Sequence, residues 1–146
     1  MTLDPAKPIY QQIIDEVRRR LARGELRPGD QIPSQREMAT LIRVNPNTVQ
    51  RAYREMEQAG LVSTARGQGT YISVPLERVA EIRREMAREA LMAFVREMAG
   101  LGIGREQAVH MVNEAFTAYE RSSSPGPVGR QPLPRPDEES EPDGQR

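Results

Sequence analysis

Cysteine and tryptophan are absent from this chain of 146 residues, histidine occurs once, and there is no long apolar run. Without cysteine, neither a disulfide framework nor a thiolate metal site can form, so a reducing cytoplasm is the expected compartment. No segment approaches the roughly 18 uncharged apolar residues of a membrane span, and the N-terminus lacks the apolar core of a signal peptide. The sequence therefore predicts a cytoplasmic protein of one or two small domains.

This composition contains few candidate catalytic residues. A nucleophile–base pair needs a histidine, a cysteine or a buried lysine, and the chain offers only His110 and, near its N-terminus, Lys7. The chain has 21 acidic residues, so their number alone does not exclude a hydrolase that uses two carboxylates. None of these acidic residues, however, lies in an apolar run that would raise its pKa. We therefore predict that the protein is not an enzyme.

Positive charge is concentrated in the N-terminal half, although the formal net charge is zero. Residues 1–75 contain eleven Lys/Arg against eight Asp/Glu, or +3. Residues 76–121 contain seven against eight, and residues 122–146 three against five, or −1 and −2. Nucleic-acid binding needs a local basic face, which the charge of the whole chain does not report.

Two short helical patterns lie back to back between Ser34 and Gly60, joined by a turn of three or four residues. Ser34 and Glu37 form a capping-box pattern at the start of the first helix. Asn45 is a good N-cap for the second helix, and Pro46 suits its first turn, where a missing N–H costs nothing. Gly60 is placed to end that helix in a left-handed conformation. The pattern predicts a helix-turn-helix.

The second of these helices has two chemically different faces. One face is apolar at helical spacing, with Val49, Ala52, Tyr53 and Met56. The opposite face carries amide, hydroxyl and guanidinium groups, on Asn47, Thr48, Gln50, Arg51 and Arg54. A helix buried on one side and polar on the other is what readout of base edges in a major groove requires.

Two short strands are predicted directly after the helix-turn-helix, at residues 61–65 and 70–74, because both are rich in β-branched and aromatic residues. Residues 66–69, Arg-Gly-Gln-Gly, form the hairpin loop between them. A helix-turn-helix followed at once by a hairpin is the winged-helix arrangement. The Gly-Gln-Gly run could instead belong to a phosphate cradle, but without a following helix it is weak evidence for one. We predict no cofactor.

A further helix is predicted at residues 8–23, before the helix-turn-helix. With it, residues 1–75 are expected to form a winged helix-turn-helix DNA-binding domain around one core. Arg18, Arg19 and Arg20 lie mostly off the apolar stripe of this helix. They could contact the DNA backbone or simply form an exposed face.

The C-terminal part is predicted to contain two helices, at residues 77–99 and 105–120. Their apolar faces are too wide to be buried against each other, which predicts that residues 76–121 form a dimerisation region with a second copy of the chain. Folding back onto the N-terminal domain is the alternative. Residues 122–146 are rich in proline, glycine, serine and acidic side chains and are expected to be disordered. The predicted fold class is mostly α, with a small β-hairpin wing.

One candidate metal site lies in the last predicted helix. Glu106 and Glu114 stand four residues either side of His110, a spacing that could put three metal ligands on one helical face. Such a row is more often a solvated, charge-compensated face. We predict no metal.

Several motifs together resemble the GntR family of bacterial transcription regulators. They are PIYQQ at residues 8–12, GELRPGD at 24–30, PSQREMA at 33–39, VNPNTV at 44–49, AY at 52–53, GLV at 60–62 and RGQGT at 66–70. The resemblance covers about 70 consecutive residues. Asn-Pro-Asn-Thr-Val together with only two C-terminal helices is similar to the YtrA subfamily, whose members resemble dimeric repressors, some of them of membrane-transporter operons.

The family resemblance implies which residues face DNA. Arg36 would clamp a phosphate or reach a base, and Arg66 and Gly67 would form the tip of the wing. The full set of expected contacts is Ser34, Arg36, Asn45, Asn47, Thr48, Gln50, Arg51, Arg54, Arg66, Gly67 and Gln68. Many larger members carry an arginine where this chain has Pro46, so their guanine contacts do not transfer to this position. Larger relatives also bind effectors in a sizeable C-terminal domain, whereas the about 45 residues here are too few to enclose a ligand in one subunit.

Two functions are compatible with these features. The first is a sequence-specific regulator, expected to be a dimeric repressor on an inverted-repeat operator in double-stranded DNA and to lie at the nucleoid when bound. The second is a winged helix used for non-specific DNA architecture or for protein–protein contact. A purely electrostatic binder would carry mostly arginine and lysine where this chain has Asn47, Thr48 and Gln50. That polar face favours the specific regulator.

Overall fold

The computed structural model describes residues 1–123 of the chain. Five helices and three short strands follow one another in it: α1 (Ile9–Ala22), β1 (Gln31–Ile32), α2 (Gln35–Ile42), α3 (Pro46–Gln58), β2 (Val62–Ala65), β3 (Gly69–Ile72), α4 (Leu76–Gly100) and α5 (Arg105–Ser122). The predicted fold class, mostly α with a small wing, is confirmed. The prediction of a disordered tail lies, from residue 124 onward, outside the described residues.

The wing is a three-stranded antiparallel sheet in the order β1-β3-β2. Ile32 pairs with Thr70 across β1 and β3, and Val62 pairs with Ile72 across β2 and β3. The sequence predicts only the hairpin, because a strand of two residues has no period to recognise. β2 begins one residue later than predicted, because the N–H of Leu61 donates to the Met56 carbonyl in the last turn of α3 (2.9 Å). β3 begins one residue earlier than predicted and ends two residues earlier, at Ile72.

One hydrophobic core lies between α1, α2, α3, the sheet and the first turns of α4. Each helix contributes its apolar stripe, and each strand contributes alternate residues, as the periods of helix and strand require. The large side chains that are most completely buried are Tyr53, Ile13, Leu21, Met56, Ile72, Ile82, Val49 and Val74. The apolar face of α3 is therefore held in the core, and its opposite face is exposed at the surface.

The start of α4 extends this core beyond residue 75. Val79 and Ile82 are buried in it, and Met86 packs against it. Two polar links join the same turns of α4 to α1: Arg83 Nε donates to the Ala22 carbonyl oxygen (2.9 Å), and Arg18 pairs with Glu85 (3.3 Å). The first compact unit accordingly comprises Met1–Arg96, and the second begins at Glu97.

The second unit contains the end of α4, a glycine-rich turn and α5. Gly102 takes a left-handed conformation (φ +74°), and the N–H of Ile103 donates to the Met98 carbonyl (2.9 Å), so α4 ends in this turn. Within the described residues α5 has no buried side chain. Its exposed large apolar residues are Val109, Met111, Phe116 and Tyr119. No helix in residues 1–123 is both long and apolar enough to cross a membrane.

Candidate nucleic-acid interface

The start of α2 is held by the predicted capping box. Ser34 Oγ accepts from the Glu37 N–H (3.2 Å), and Glu37 Oε2 accepts from the Ser34 N–H (2.8 Å). Two backbone donors that the helix itself cannot satisfy are thereby bonded. Arg36, next to Glu37, is left on the exposed surface of the first helical turn.

A tight turn joins α2 to α3. Arg43 takes a left-handed conformation (φ 54°) at the end of α2, and the N–H of Val44 donates to the Ala39 carbonyl (3.2 Å). Asn45 then caps α3, its Oδ1 accepting from the Asn47 N–H (2.8 Å), with Pro46 in the first turn. The turn therefore sets the direction in which α3 leaves α2, and the residues that follow Pro46 begin the exposed face.

A buried tyrosine ties the two helices of the motif together. Tyr53 is fully buried on α3, and its hydroxyl donates to the backbone carbonyl of Pro33, directly before the Ser34 cap of α2. Burial, with a contribution from the charge of Glu37, raises the pKa of Tyr53 to about 12. The hydroxyl is consequently a donor at any neutral pH, and the start of α2 is anchored to the middle of α3.

The exposed face of α3 carries the polar side chains that the sequence predicts there. Asn47, Gln50, Arg51 and Arg54 are exposed, and Thr48 is half-buried. Because the other face of α3 is packed in the core, these polar groups can contact a ligand while the fold stays intact. Within residues 1–123, Arg51 is the one member of this set whose side chain has close partners, the aromatic ring of Tyr10 and the carboxylate of Glu55.

The arginines of the first unit include some that pair with acidic side chains and some that have no acidic partner among the described residues. Arg18 lies near Glu85 and Glu89, and Arg19 and Arg20 both pair with Glu16, at 2.6 and 2.9 Å. These ion pairs lower the pKa of Glu16, with the hydrogen bond from Arg20 as the largest cause. The structure thus places this arginine run in ion pairs. By contrast, within residues 1–123 no acidic partner pairs with Arg36, Arg54 or Arg66.

The tip of the wing, residues 66–68, is shaped by hydrogen bonds to one carbonyl oxygen. The Gln68 carbonyl accepts from the Tyr71 hydroxyl (2.7 Å) and from Gln31 Nε2 (3.4 Å). Gly67 and Gly69 have φ of +75° and +105°, a region that side-chain-bearing residues seldom adopt. At Gly69 a Cβ would also lie 2.5 Å from Gln31 Nε2. The exposed Arg66 and Gly67 are thus carried by a loop of defined shape.

The expected contact residues therefore differ in what their side chains do in the protein itself. Ser34 and Asn45 have their side-chain acceptors engaged in helix caps, whereas the amide, hydroxyl and guanidinium groups of α3 are turned away from the core. Contact of any of the residues with DNA stays a prediction.

Three side chains that shape this surface are missed by the sequence reasoning: Tyr10, Gln31 and Tyr71. Tyr10 counts in the sequence only as part of an apolar stripe, and Gln31 lies in a strand too short to recognise. The contact of Tyr10 with Arg51 and the hydrogen bond from Gln31 to Gln68 join residues far apart in sequence, so no local pattern signals them. Tyr71 and Gln68 are only three residues apart, but the bond between them depends on the fold of the hairpin loop.

The row around His110 does not assemble a metal site among the described residues. His110 Nε2 lies 3.1 Å from Glu114 Oε1, and both side chains are exposed. No group of three potential metal ligands occurs in that part of the chain. The pair has the geometry of an ordinary surface contact one helical turn apart.

Comparisons with known proteins agree with this geometry. The family model described as bacterial regulatory proteins, gntR family, matches residues 9–72, which span α1 to β3. The chain is 52% identical over 112 residues to the HTH-type transcriptional regulator YhcF of Bacillus subtilis, covering 77% of this chain and 92% of YhcF. It is 38% identical over 115 residues to the HTH-type transcriptional repressor YtrA of the same organism, covering 77% and 88%.

A solved structure agrees over most of the chain. A GntR family transcriptional regulator from Listeria monocytogenes superimposes with a TM-score of 0.70 at 36% identity, covering 77% of this chain and 98% of that one. The similarity thus reaches past the winged helix into the C-terminal helices. From the winged-helix geometry, the polar face of α3 and these relatives together, we conclude that the chain belongs to the GntR family and is a DNA-binding transcriptional regulator.

Proposed function

We propose that this regulator is a dimeric repressor that binds an inverted-repeat operator in double-stranded DNA. In this proposal α3 enters the major groove and the wing tip lies along the minor groove or the backbone. The observation that carries the proposal is the exposed face of α3, where amide and hydroxyl groups stand beside guanidinium groups. Such a face offers hydrogen bonds to base edges, which charge alone cannot provide.

Gln50 is the proposed direct reader of a base. It is exposed on α3, and its amide can donate to and accept from an adenine at once. Arg36 and Arg66 are proposed to bind phosphates or the minor groove, because both are exposed, and neither has an acidic partner within residues 1–123. The first residue would contribute sequence discrimination, and the other two would contribute salt-dependent affinity.

The second copy is proposed to bind through α4 and α5. Phe116, Tyr119 and Val109 all lie exposed on α5, at the spacing of one helical stripe. A two-fold dimer would cover this stripe and place two α3 helices on half-sites about one helical turn of DNA apart. The subfamily resemblance supports a transporter operon as the regulated target, in the cytoplasm at the nucleoid. Repression by occupancy of DNA needs no catalytic step, and we propose none.

The proposal is tested by separating specific from non-specific binding. A best operator is selected from a random DNA pool, and the dissociation constants for it and for a random duplex are measured over a series of salt concentrations. Gln50→Ala is expected to weaken operator binding by about 1–3 kcal/mol while leaving random-duplex binding unchanged. Gln107→Ala, which removes an exposed amide on α5, is the matched control and should change neither constant.

The arginine variants are expected to behave differently. Arg36→Ala and Arg66→Ala should weaken both constants together and flatten the salt dependence by about one counterion per lost contact. If the wild type binds its best selected site no more than a few-fold tighter than random duplex, the specific-repressor proposal fails. The architectural function would then take its place.

A further inference from the structure

The guanidinium of Arg51 lies on the ring of Tyr10. The Cζ atom is 3.8 Å from the ring centroid, well inside the roughly 6 Å at which a cation and an aromatic face attract each other. Tyr10 belongs to the first turn of α1 and is half-buried, whereas Arg51 is on the exposed face of α3. The contact therefore joins an arginine of the candidate interface to a different helix.

A second contact fixes the rotation of the same group. Arg51 Nε lies 3.3 Å from Oε1 of Glu55, one turn further along α3. One face of the guanidinium is thus covered by Tyr10 and one edge by Glu55. Within residues 1–123 its two terminal nitrogens donate no hydrogen bond, and 59% of the side-chain surface stays exposed. What remains available is a fork of N–H donors at the outer edge.

We propose that Tyr10 is a positioning residue for DNA recognition, which holds the Arg51 fork ready for a pair of acceptor atoms on the DNA. The inference rests on the proposed function, because it requires the exposed face of α3 to meet DNA. The acceptor pair is either O6 and N7 of a guanine or two oxygens of a phosphate. Both match the planar, bidentate geometry of a guanidinium.

The physical gain is a smaller loss of side-chain freedom on binding. A free arginine samples many rotamers, and fixing them on a ligand costs free energy. The Tyr10 ring and the Glu55 carboxylate restrict these rotamers before DNA arrives, and the ring does so without using any N–H donor. Tyr10 would thereby raise the affinity for operator without touching it.

A double-mutant cycle between Tyr10 and Arg51 tests this role. Operator dissociation constants are measured for the full chain with Tyr10→Leu, Arg51→Ala and both changes, and melting temperatures are recorded for each. Tyr10→Leu is expected to weaken operator binding by about two- to fivefold when Arg51 is present, the range of an exposed cation–π contact. It should have no effect on operator binding when Arg51 is already alanine.

Tyr10→Phe is the matched conservative variant, since it keeps the ring and removes only the hydroxyl. It should retain the wild-type dissociation constant. If Tyr10→Leu weakens binding equally in both Arg51 backgrounds, or if Tyr10→Phe is as weak as Tyr10→Leu, the positioning role is wrong. A packing role for Tyr10 would then explain the loss.

The two acceptor sources are distinguished with the same variants. If Arg51 binds guanine, Arg51→Ala and Tyr10→Leu should both relax discrimination at one operator base pair. Replacing the guanine of that base pair by 7-deazaguanine should have the same effect. If it binds phosphate, both should weaken all sequences alike and reduce the salt slope. If Tyr10 and Arg51 show no coupling while Gln50→Ala still weakens operator binding, this inference alone is wrong. Absence of any operator preference in the wild type would overturn the proposed function.

Discussion

The first unit and α5 contain similar kinds of apolar residue in opposite surroundings. Leu21 on α1 is 0% exposed and Ile82 on α4 is 1% exposed, whereas Phe116 and Tyr119 on α5 are 61% and 69% exposed. α4 shows both situations along one helix, since Val79 is buried and Leu91 is 57% exposed. An apolar stripe therefore identifies a face that needs a partner, but it does not identify the partner.

This difference in exposure distinguishes the apolar side chains that the first unit buries in its own core from those that stay exposed on α5. The winged helix completes a core with side chains from α1, α2, α3, the sheet and the start of α4. α5 offers a stripe that has no cover among the described residues, and stripes of this kind mark interaction surfaces. We propose a second copy as that cover, so the two regions should respond differently to the same substitution.

The largest effect is expected from truncating a core leucine. Leu21→Ala should lower the free energy of unfolding by about 2–5 kcal/mol, because it leaves a cavity in a packed core. Leu91→Ala is the matched control, with the same atoms removed from an exposed position. Chemical denaturation at two protein concentrations measures both. A loss at Leu91 as large as that at Leu21, independent of concentration, would contradict the comparison.

The next effect concerns the open stripe on α5. Phe116→Ala should weaken self-association by about tenfold or more, since a large aromatic side chain at an interface is a common energetic centre. Thr117→Ala, one residue along and also exposed, should leave it unchanged. Sedimentation equilibrium gives the dissociation constants. Equal constants for the wild type and Phe116→Ala would mean that the stripe is not the dimer interface.

A third prediction concerns the polar bond inside the helix-turn-helix. Tyr53→Phe should cost about 1–3 kcal/mol, because it leaves the Pro33 carbonyl without its donor. Since the pKa of Tyr53 is raised to about 12 in the folded state, its stabilisation is complete below about pH 10 and is lost as the pH rises towards 12. Urea unfolding between pH 8 and 11.5 measures the difference between wild type and Tyr53→Phe. A difference that grows with pH would contradict the assignment.

The smallest effect is expected at the capping box. Ser34→Ala should lower the free energy of unfolding by about 1 kcal/mol, as the Glu37 N–H loses its acceptor. Ser34→Asn, which can also cap, should recover most of this loss. Thermal unfolding followed by circular dichroism detects both. Unchanged stability in Ser34→Ala would show that the cap contributes nothing.

Local patterns predict the part of the fold that depends on neighbours in sequence. The Ser34–Glu37 capping box, the Asn45 cap and the two faces of α3 depend on residues within a few positions of each other. β1 is missed because Gln31 and Ile32 form a strand only through pairing with β3. The buried start and exposed middle of α4 share one period, so only tertiary contacts distinguish them.

The most direct test of the account is the ratio of two dissociation constants for the wild-type chain. One is measured on the operator selected from random DNA, and the other on a scrambled duplex of the same length and salt concentration. A specific regulator reading base edges with α3 should prefer the operator by at least about a thousandfold. A ratio of only a few-fold would contradict base readout by this face.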